Sequence, residues 1–188
     1  MKYQDDSHYI ERVLNGDTAA YASLVAKHKN LVFSIALKIL NSREDAEEVA
    51  QDCFLKAFQA LKTFEGKSKF STWLYRIVYN AAISRTRKKK IDLIPMDNYV
   101  IHNYTEDDLS GGIEGLGAEE RRIMVERALE RLPGDDNLLI TLFYKGDNSI
   151  DEISEITGLS VSNVKVRLHR IRKKLYEELS ETMNQHAG

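Results

Sequence analysis

The chain has 188 residues and a hydrophobic fraction of 43%, which is enough for one medium domain or two small ones with buried cores. Its single cysteine, Cys53, excludes an internal disulfide, and no pair of Cys or His residues has zinc-ligand spacing. No stretch approaches the roughly 18 to 20 apolar residues that a membrane-spanning helix requires. We therefore expect a cytoplasmic protein without membrane insertion, structural metal or cofactor.

Charge is distributed unevenly along the chain, although the formal net charge is only -2. Residues 85–90 read RTRKKK, and residues 161–176 contain six lysines and arginines and no acid. Acidic residues gather at 43–52 and again between 92 and 120. Two basic segments separated by acidic ones indicate two contacts with DNA, whereas either basic run alone also fits an ordinary solvated face.

Helical periodicity dominates the N-terminal half and strand signals are scarce, so the chain is predicted to be all-α. Three segments carry apolar residues at three- and four-residue spacing: Leu24 to Leu40, Ala46 to Leu61, and Phe70 to Ala81. Ser42 is expected to cap the second helix. Because one helix cannot bury such a face alone, the three are expected to form one bundle domain within residues 1–90.

The periodic pattern dissolves over residues 91–117, where one of the two prolines, four glycines and scattered acids predict a flexible, acidic linker. A second helical domain is predicted over residues 118–188. Leu132, Pro133 and Gly134 interrupt its periodicity, and a further turn is expected at 145–148. The expected architecture is two small helical domains joined by this linker.

The most specific local signal lies at residues 149–175. Ser149 and Glu152 have capping-box spacing at the start of a short helix, and Gly158 falls where the chain must turn with positive φ. Ser160 is expected to cap a second helix. The buried face of that helix steps by four, three and four residues through Val164, Leu168, Ile171 and Leu175. This pattern is typical of a helix-turn-helix.

The second helix of a helix-turn-helix enters the major groove, where polar side chains near its N-terminus reach base edges and basic ones further along neutralise phosphates. The residues predicted to face DNA are Ser160, Ser162, Asn163, Lys165, Arg167, Arg170 and Lys174. Helix pairs joined by glycine are common, and the absence of acids on this helix favours DNA binding. His169 is expected to contact phosphate or solvent, not a metal.

Two motifs of the N-terminal domain carry a family resemblance. They are DAEEVAQDCFLKAF at residues 45–58 and GKSKFSTWLYRIVYN at residues 66–80. With the basic run after Ser84, they resemble region 2 of the extracytoplasmic-function (ECF) sigma factors of the sigma-70 family. The helix-turn-helix, ending in VKVRLHRIRKKL, is similar to region 4. The resemblance covers nearly the whole chain except the linker and the ends, and implies a promoter-specificity subunit of bacterial RNA polymerase, not an enzyme.

The resemblance also implies which surfaces meet which partners. The region 4 helix would read the minus-35 promoter element. The side chains implied to face the minus-10 element are Lys69, Trp73, Arg76, Asn80, Ser84, Arg85, Arg87 and Lys88. Those implied to dock on the β′ clamp helices of core RNA polymerase are Asp45, Glu47, Glu48, Gln51 and Asp52. The β flap of core polymerase and an anti-sigma factor are the further implied partners.

Region 2 residues support these roles from their own spacing. Arg76, Asn80, Ser84 and Arg87 lie along one line of a helix, which suits a phosphate backbone. The spacing of Trp73 with Ile77 favours a core position over a base-stacking platform. The resemblance further implies that the loop 65–71 holds an unstacked base when the duplex opens. Four of the linker acids resemble a segment that threads the RNA path of polymerase, although a plain tether would look the same; the four are Asp97, Glu106, Asp107 and Asp108.

Two other classes of function remain as alternatives. A stand-alone transcriptional regulator would combine the helix-turn-helix with an N-terminal sensor or dimerisation bundle, but such a bundle has no reason to contain the motifs at 45–58 and 66–80. An enzyme is the least favoured class, because the sequence has no Ser/His/Asp set, phosphate-cradling glycine loop or metal cluster.

Overall fold

The computed structural model describes residues 6–89 and 118–186, and within these ranges every regular element is a helix. The N-terminal half contains α1 (Asp6–Leu14), α2 (Tyr21–Leu40), α3 (Arg43–Ala60) and α4 (Phe70–Lys89). The C-terminal half contains α5 (Ala118–Glu130), α6 (Gly134–Tyr144), α7 (Ile150–Thr157) and α8 (Val161–His186). The all-α prediction is confirmed, whereas the predicted linker over residues 91–117, with Asp97, Glu106, Asp107 and Asp108, lies outside the described residues.

Helices α2, α3 and α4 pack against one another, as their apolar periodicity predicts. Ile35 of α2 and Leu74 of α4 are fully buried in the shared core. A sharp turn separates α2 from α3: Asn41 adopts a φ of 52°, and the Ser42 Oγ accepts a hydrogen bond from the Asp45 amide at 3.3 Å. Because Asn tolerates left-handed backbone and Ser satisfies a free helical N–H, these two residues end one helix and begin the next.

Helix α1, which no periodic pattern predicted, is held on the bundle by a polar cluster. The Asp6 carboxylate accepts a hydrogen bond from Lys27 Nζ at 2.6 Å and lies 3.0 Å from Nε2 of the buried His28. Nδ1 of His28 lies 3.0 Å from the Tyr75 hydroxyl. With Asp6 ionised, Nε2 donates to it and Nδ1 accepts from Tyr75. Burial opposes ionisation of Asp6, but hydrogen bonds from His28 and Lys27 outweigh burial and lower its pKa.

The C-terminal half contains the predicted helix-turn-helix. Ser149 and Glu152 form both bonds of the capping box, at 3.2 and 2.8 Å, and so begin α7. Gly158 ends α7 with a φ of 74°, in the left-handed region where glycine carries no steric penalty. Ser160 Oγ then accepts a hydrogen bond from the Asn163 amide at 3.2 Å. The predicted caps and the glycine turn are confirmed.

The two halves pack directly on each other, α2 against α6 and α4 against α7, and their buried apolar residues form one cluster. Seven consecutive residues of α6, from Asp136 to Leu142, are buried. A helix buried all round must be covered on opposite sides, which α2 and α8 provide here. The backbones of α6 and α2 approach so closely at Gly134 that a Cβ there would lie 2.9 Å from the Lys38 carbonyl oxygen.

Leu139→Ala should lower the free energy of unfolding by about 2 to 5 kcal/mol, because Leu139 is only 1% exposed at the centre of α6 and alanine leaves a cavity. Urea denaturation followed by circular dichroism measures the loss. The matched control is Leu55→Ala, which truncates a leucine that is 61% exposed and should change stability by less than about 0.5 kcal/mol. Equal losses in the two variants would contradict the position of Leu139 in the shared core.

Candidate nucleic-acid interface

The N-terminal turns of α8 present a polar and basic surface beside the glycine turn. Ser160 and Ser162 lie at its start, with their Oγ atoms 3.1 Å apart. The exposed residues of this surface are Ser160, Ser162, Lys165, Arg170 and Lys174, and Asn163 is partly buried beside them. Hydroxyl, amide and cationic groups are therefore distributed over the exposed side of α8, and these are groups that bond to base edges and phosphates.

Arg167 does not project freely from α8, so its predicted outward orientation is wrong. Its side chain is only 23% exposed, and Nη2 donates a hydrogen bond to the Asp136 Oδ1 at 2.8 Å. Arg170 lies 3.6 Å from the other carboxylate oxygen of Asp136. A buried carboxylate must be paired to remain ionised, and this requirement turns Arg167 toward α6.

Helix α4 carries the predicted line of polar and basic side chains. Arg76, Asn80, Ser84 and Arg87 are all exposed along it. Lys69 immediately precedes the helix, with 67% of its side chain exposed. The side chain of Lys88 lies outside the described residues. This line forms a second cationic surface, on the N-terminal half of the chain.

Trp73 belongs to an aromatic cluster, as its spacing predicted. Its ring centroid lies 5.2 Å from that of Phe64 and 5.8 Å from that of Phe70, and the indole is partly buried against the core. The loop between these two phenylalanines turns at Gly66, with a φ of 68°. Beside the loop is a cavity of about 730 Å³ that is also lined by α1, α2 and the turn 146–148.

Arg85 joins the acidic surface of α3 to the cationic surface of α4, which the sequence suggested were separate. Its guanidinium donates to Glu48 Oε2 at 2.6 Å and to Asp45 Oδ1 at 3.1 Å. Asp45 is buried, so its predicted place on the exposed face of α3 is wrong. The helical repeat puts Asp45 at the edge of that face, and there α4 covers it and supplies the arginine.

The remaining predicted residues of α3 form an exposed acidic face. They are Glu47, Glu48, Gln51 and Asp52. Leu55 follows Gln51 and Asp52 at four- and three-residue spacing and is 61% exposed, so it lies on the same face. A leucine outside the periodic apolar stripe could have indicated an exposed contact residue, but the predicted docking residues did not include Leu55.

A groove between α5, α6 and α8 is a further surface that the sequence did not indicate. Its volume is about 450 Å³, and its apolar lining includes Val125, Leu129, Ile140, Tyr144, Leu175 and Leu179. Arg172 lies at this groove, with its guanidinium 5.0 Å from the Phe143 ring centroid and Nε donating to the Tyr144 hydroxyl at 3.1 Å. Stacking on these rings holds Arg172 at the groove.

Within residues 6–89 and 118–186, no three His, Cys, Asp or Glu side chains are grouped as metal ligands. Over the same part of the chain, no helix combines the length and apolarity needed to cross a membrane. Cys53 is buried, and burial raises its pKa to about 11, which keeps the thiol protonated and unreactive at neutral pH.

Each half of the chain matches a family of known proteins. The Sigma-70 region 2 family matches residues 24–91, and the Sigma-70, region 4 family matches residues 122–175. The chain is 32% identical to the ECF RNA polymerase sigma factor SigW of Bacillus subtilis, over 92% of this chain and 95% of that protein. It is 31% identical to the ECF RNA polymerase sigma-E factor of Haemophilus influenzae, over 95% and 97%.

A solved structure has the same fold. It is the sigma factor RpoE in complex with the anti-sigma factor NepR from Bartonella quintana, with a TM-score of 0.60 and 22% identity, over 85% of this chain and 96% of that one. The paired region 2 and region 4 matches and the helix-turn-helix define a sigma factor of the sigma-70 family. Within that family, the chain belongs to the ECF sigma factors. It binds core RNA polymerase, recognises minus-10 and minus-35 promoter elements and directs transcription initiation.

Arg167→Ala should lower the free energy of unfolding by about 1 to 3 kcal/mol, because it removes the hydrogen bond to the buried Asp136 carboxylate. Lys165→Ala, on the same helix but exposed, should leave stability within about 0.5 kcal/mol of the wild type. Thermal unfolding of both variants provides the measurement. An unchanged melting temperature for Arg167→Ala would refute the structural role assigned to this arginine.

Proposed function

We propose that residues 118–188 act as the minus-35-reading unit, with the exposed start of α8 in the major groove. The single observation that carries this assignment is the capped helix-turn-helix that leaves the first turns of α8 exposed. The groups that would contact DNA are Ser160, Ser162, Asn163, Lys165, Arg170 and Lys174. Arg167 supports this surface by holding α8 on Asp136. Side chains near the helix start would read bases, and those beyond would neutralise phosphates.

Residues 1–90 would act as the minus-10-reading unit through α4. The line of Arg76, Asn80, Ser84 and Arg87, with Lys69 before it and Lys88 beyond it, follows one edge of the helix. Such a line suits one DNA strand, because phosphates repeat regularly along it. Trp73 would support the adjoining loop 65–69, where an unstacked base would bind beside the cavity. Arg85 would orient this surface through its bonds to α3, with no direct DNA contact.

The acidic face of α3 would dock on the β′ clamp helices of core polymerase. Glu47, Glu48, Gln51 and Asp52 supply its polar groups, and Asp45 contributes indirectly by fixing Arg85. Leu55 would act as the apolar anchor, because binding energy at interfaces concentrates in a few side chains that are desolvated on contact. The apolar groove between α5, α6 and α8 would accept the β flap, with the exposed Tyr144 at its rim.

An anti-sigma factor would be a further partner of this chain. Support comes from the solved relative, which is in complex with one. The chain would act in the cytoplasm, where core polymerase and promoter DNA are found in bacteria. It would be a binding subunit without catalytic activity of its own, because the bond-forming chemistry of transcription belongs to core polymerase.

Leu55→Ala should weaken binding to core polymerase by roughly 1 to 2 kcal/mol, because it removes an apolar side chain that becomes buried on docking. Competition with labelled wild-type chain for purified core enzyme measures the loss. Leu14→Ala is the matched control, since it truncates another exposed leucine on α1, away from the acidic face. If both variants compete equally well with the wild type, Leu55 is not an anchor.

Lys165→Ala should weaken promoter binding by the holoenzyme by about 1 to 3 kcal/mol while leaving binding to core polymerase unchanged. Run-off transcription with purified core polymerase on a genomic promoter library first identifies a promoter. The variant and the wild type are then compared on this promoter and on a copy whose minus-35 sequence is scrambled. A loss of equal size on the scrambled promoter would argue against base reading.

A further inference from the structure

A histidine occupies a position in the core stripe of α2 where the helical repeat favours an apolar residue. His28 is 5% exposed and lies on the same face as Leu24 and Ile35, which are fully buried. A buried imidazole loses its hydrogen bonds to water, so each ring nitrogen needs a partner within the protein. Asp6 is one partner and Tyr75 is the other. His28 belongs to none of the surfaces proposed above for polymerase or DNA.

The two partners fix the orientation of the His28 ring. Asp6 remains a carboxylate at neutral pH, because hydrogen bonds from His28 and Lys27 outweigh its burial and lower its pKa. Burial and the charge of Asp6 raise the pKa of Tyr75, whose hydroxyl therefore stays protonated and can donate. In the neutral imidazole the proton is thus on Nε2, and two hydrogen bonds of 3.0 Å hold the ring in place.

The His28 ring lies against two aromatic residues from the first two turns of α4. Its centroid is 5.6 Å from that of Phe70 and 5.9 Å from that of Tyr75. Phe70 is 3% exposed and contacts Phe64 in turn, with the two ring centroids 5.9 Å apart and the rings nearly perpendicular. Phe64 and Phe70 flank the loop 65–69, so their contact closes the loop at its base. His28 therefore holds one end of the loop.

Helix α1 holds the other end of this loop. It packs on the turn Leu61–Thr63, which leads into the loop. Asp6 and Ile10 of α1 also line the same cavity as Gly66 and Ser68 of the loop. Four of the five residues from 65 to 69 are exposed, so the loop has little core of its own. The shape of such a loop depends on the elements that fix its two ends.

We propose that α1, through Asp6 and His28, sets the shape of the loop 65–69 and thereby the affinity of the loop for an unstacked promoter base. Asp6 and His28 are positioning residues, because they act through Phe70 and the loop and not on the base. A base pocket must be held in shape by the residues behind it, so release of one end weakens base binding. The proposal rests on the base-binding function proposed above for the loop.

The region 2 family match gives no role to α1 in this site. That match begins at residue 24, whereas α1 ends at Leu14. Asp6 therefore contributes to the loop from outside the matched segment, and the structure alone brings it to His28.

Removal of single bases from the DNA tests the proposal on the holoenzyme. The probe is a fluorescein-labelled single-stranded oligonucleotide with one strand of the minus-10 sequence of a promoter identified by run-off transcription. Copies of each strand carry one abasic site at successive positions. With wild-type holoenzyme, an abasic site at the base bound by the loop should weaken binding by roughly 5- to 150-fold, the range for loss of one stacked base. Asp6→Ala should lose most of this penalty.

Two matched controls change α1 without releasing the loop. Asp6→Asn keeps an oxygen that can accept the hydrogen bond from His28 Nε2, so it should retain the abasic penalty. Asp17→Ala removes the same charge as Asp6→Ala, but at the other end of α1, where Asp17 pairs with Arg12. It should retain the penalty as well. Equal losses for Asp6→Ala and Asp17→Ala would reduce the effect to net charge and refute the proposal.

A double variant, His28→Leu with Tyr75→Phe, separates positioning from stability. Leucine at position 28 continues the apolar stripe, and phenylalanine at position 75 leaves no unpaired hydroxyl. Replacement of both partners by apolar groups should therefore change the melting temperature little. The hydrogen bonds that orient the ring against Phe70 are absent, so the abasic penalty should fall as it does in Asp6→Ala. A stable double variant with the full penalty would overturn the proposal.

Trp73 provides a second measurement on the free chain. It is the only tryptophan, and its ring contacts both Phe64 and Phe70 at the base of the loop. Asp6→Ala and the double variant should increase the quenching of its fluorescence by acrylamide, whereas Asp17→Ala should not. Quenching that stays at the wild-type level in both altered chains would show that the loop keeps its packing without this bracing, and would contradict the proposal.

Failure of the proposal and failure of the base-binding function give different results. Replacement of residues 67–69 by glycine identifies the abasic position that reports on the loop, because that position should lose its penalty. If no position responds to this replacement, the loop does not bind a base, and the proposal falls with that function. If one position responds but keeps its full penalty in Asp6→Ala and in the double variant, the loop binds a base and the proposal alone is wrong.

Discussion

The packing of α6 between α2 and α8 is the contact on which the rest of the arrangement depends. Because α6 is buried along the seven consecutive residues from Asp136 to Leu142, these two turns have no solvent face and need cover from both halves of the chain. Gly134 permits the backbones to meet, and a Cβ at Gly146 would lie 3.1 Å from Leu31 of α2. With α6 seated on α2, the following turn and α7 are brought onto α4.

Buried carboxylates decide which cations are left for nucleic acid. Asp45 and Asp136 are both buried, and each draws an arginine from a neighbouring helix, Arg85 and Arg167 respectively. An ionised carboxylate inside a protein needs such a partner, whereas an exposed lysine does not. These two arginines therefore hold helices together, whereas Lys165 and Lys174 of α8 and Arg87 of α4 are exposed and can reach phosphates.

Two ion pairs join α7 to the start of α4, Glu152 with Lys69 at 2.9 Å and Glu155 with Arg76 at 4.0 Å, and they are too weak to hold the two halves together alone. Lys69 and Arg76 are mostly exposed, and such pairs contribute about 0 to 1 kcal/mol each. The apolar contact beneath them supplies more, since a buried leucine side chain contributes about 1.5 to 3 kcal/mol. The acids of α7 thus pair with cations of the α4 surface, while the buried contacts of α6 stabilise the packing of the two halves.

The sequence by itself determined the helices other than α1, the caps and the glycine turn. Capping and periodicity are local properties, and Ser42, Ser149 and Gly158 each act within one turn of the chain. Its motifs also identified the family. Only the tertiary structure decided the orientation of Asp45 and Arg167. Asp45 on α3 is covered by α4, and Arg167 on α8 turns toward α6, and in both cases the second helix is distant in sequence. The same holds for the contact of α7 with α4, since amphipathic faces predict that helices pack but not which partners they take.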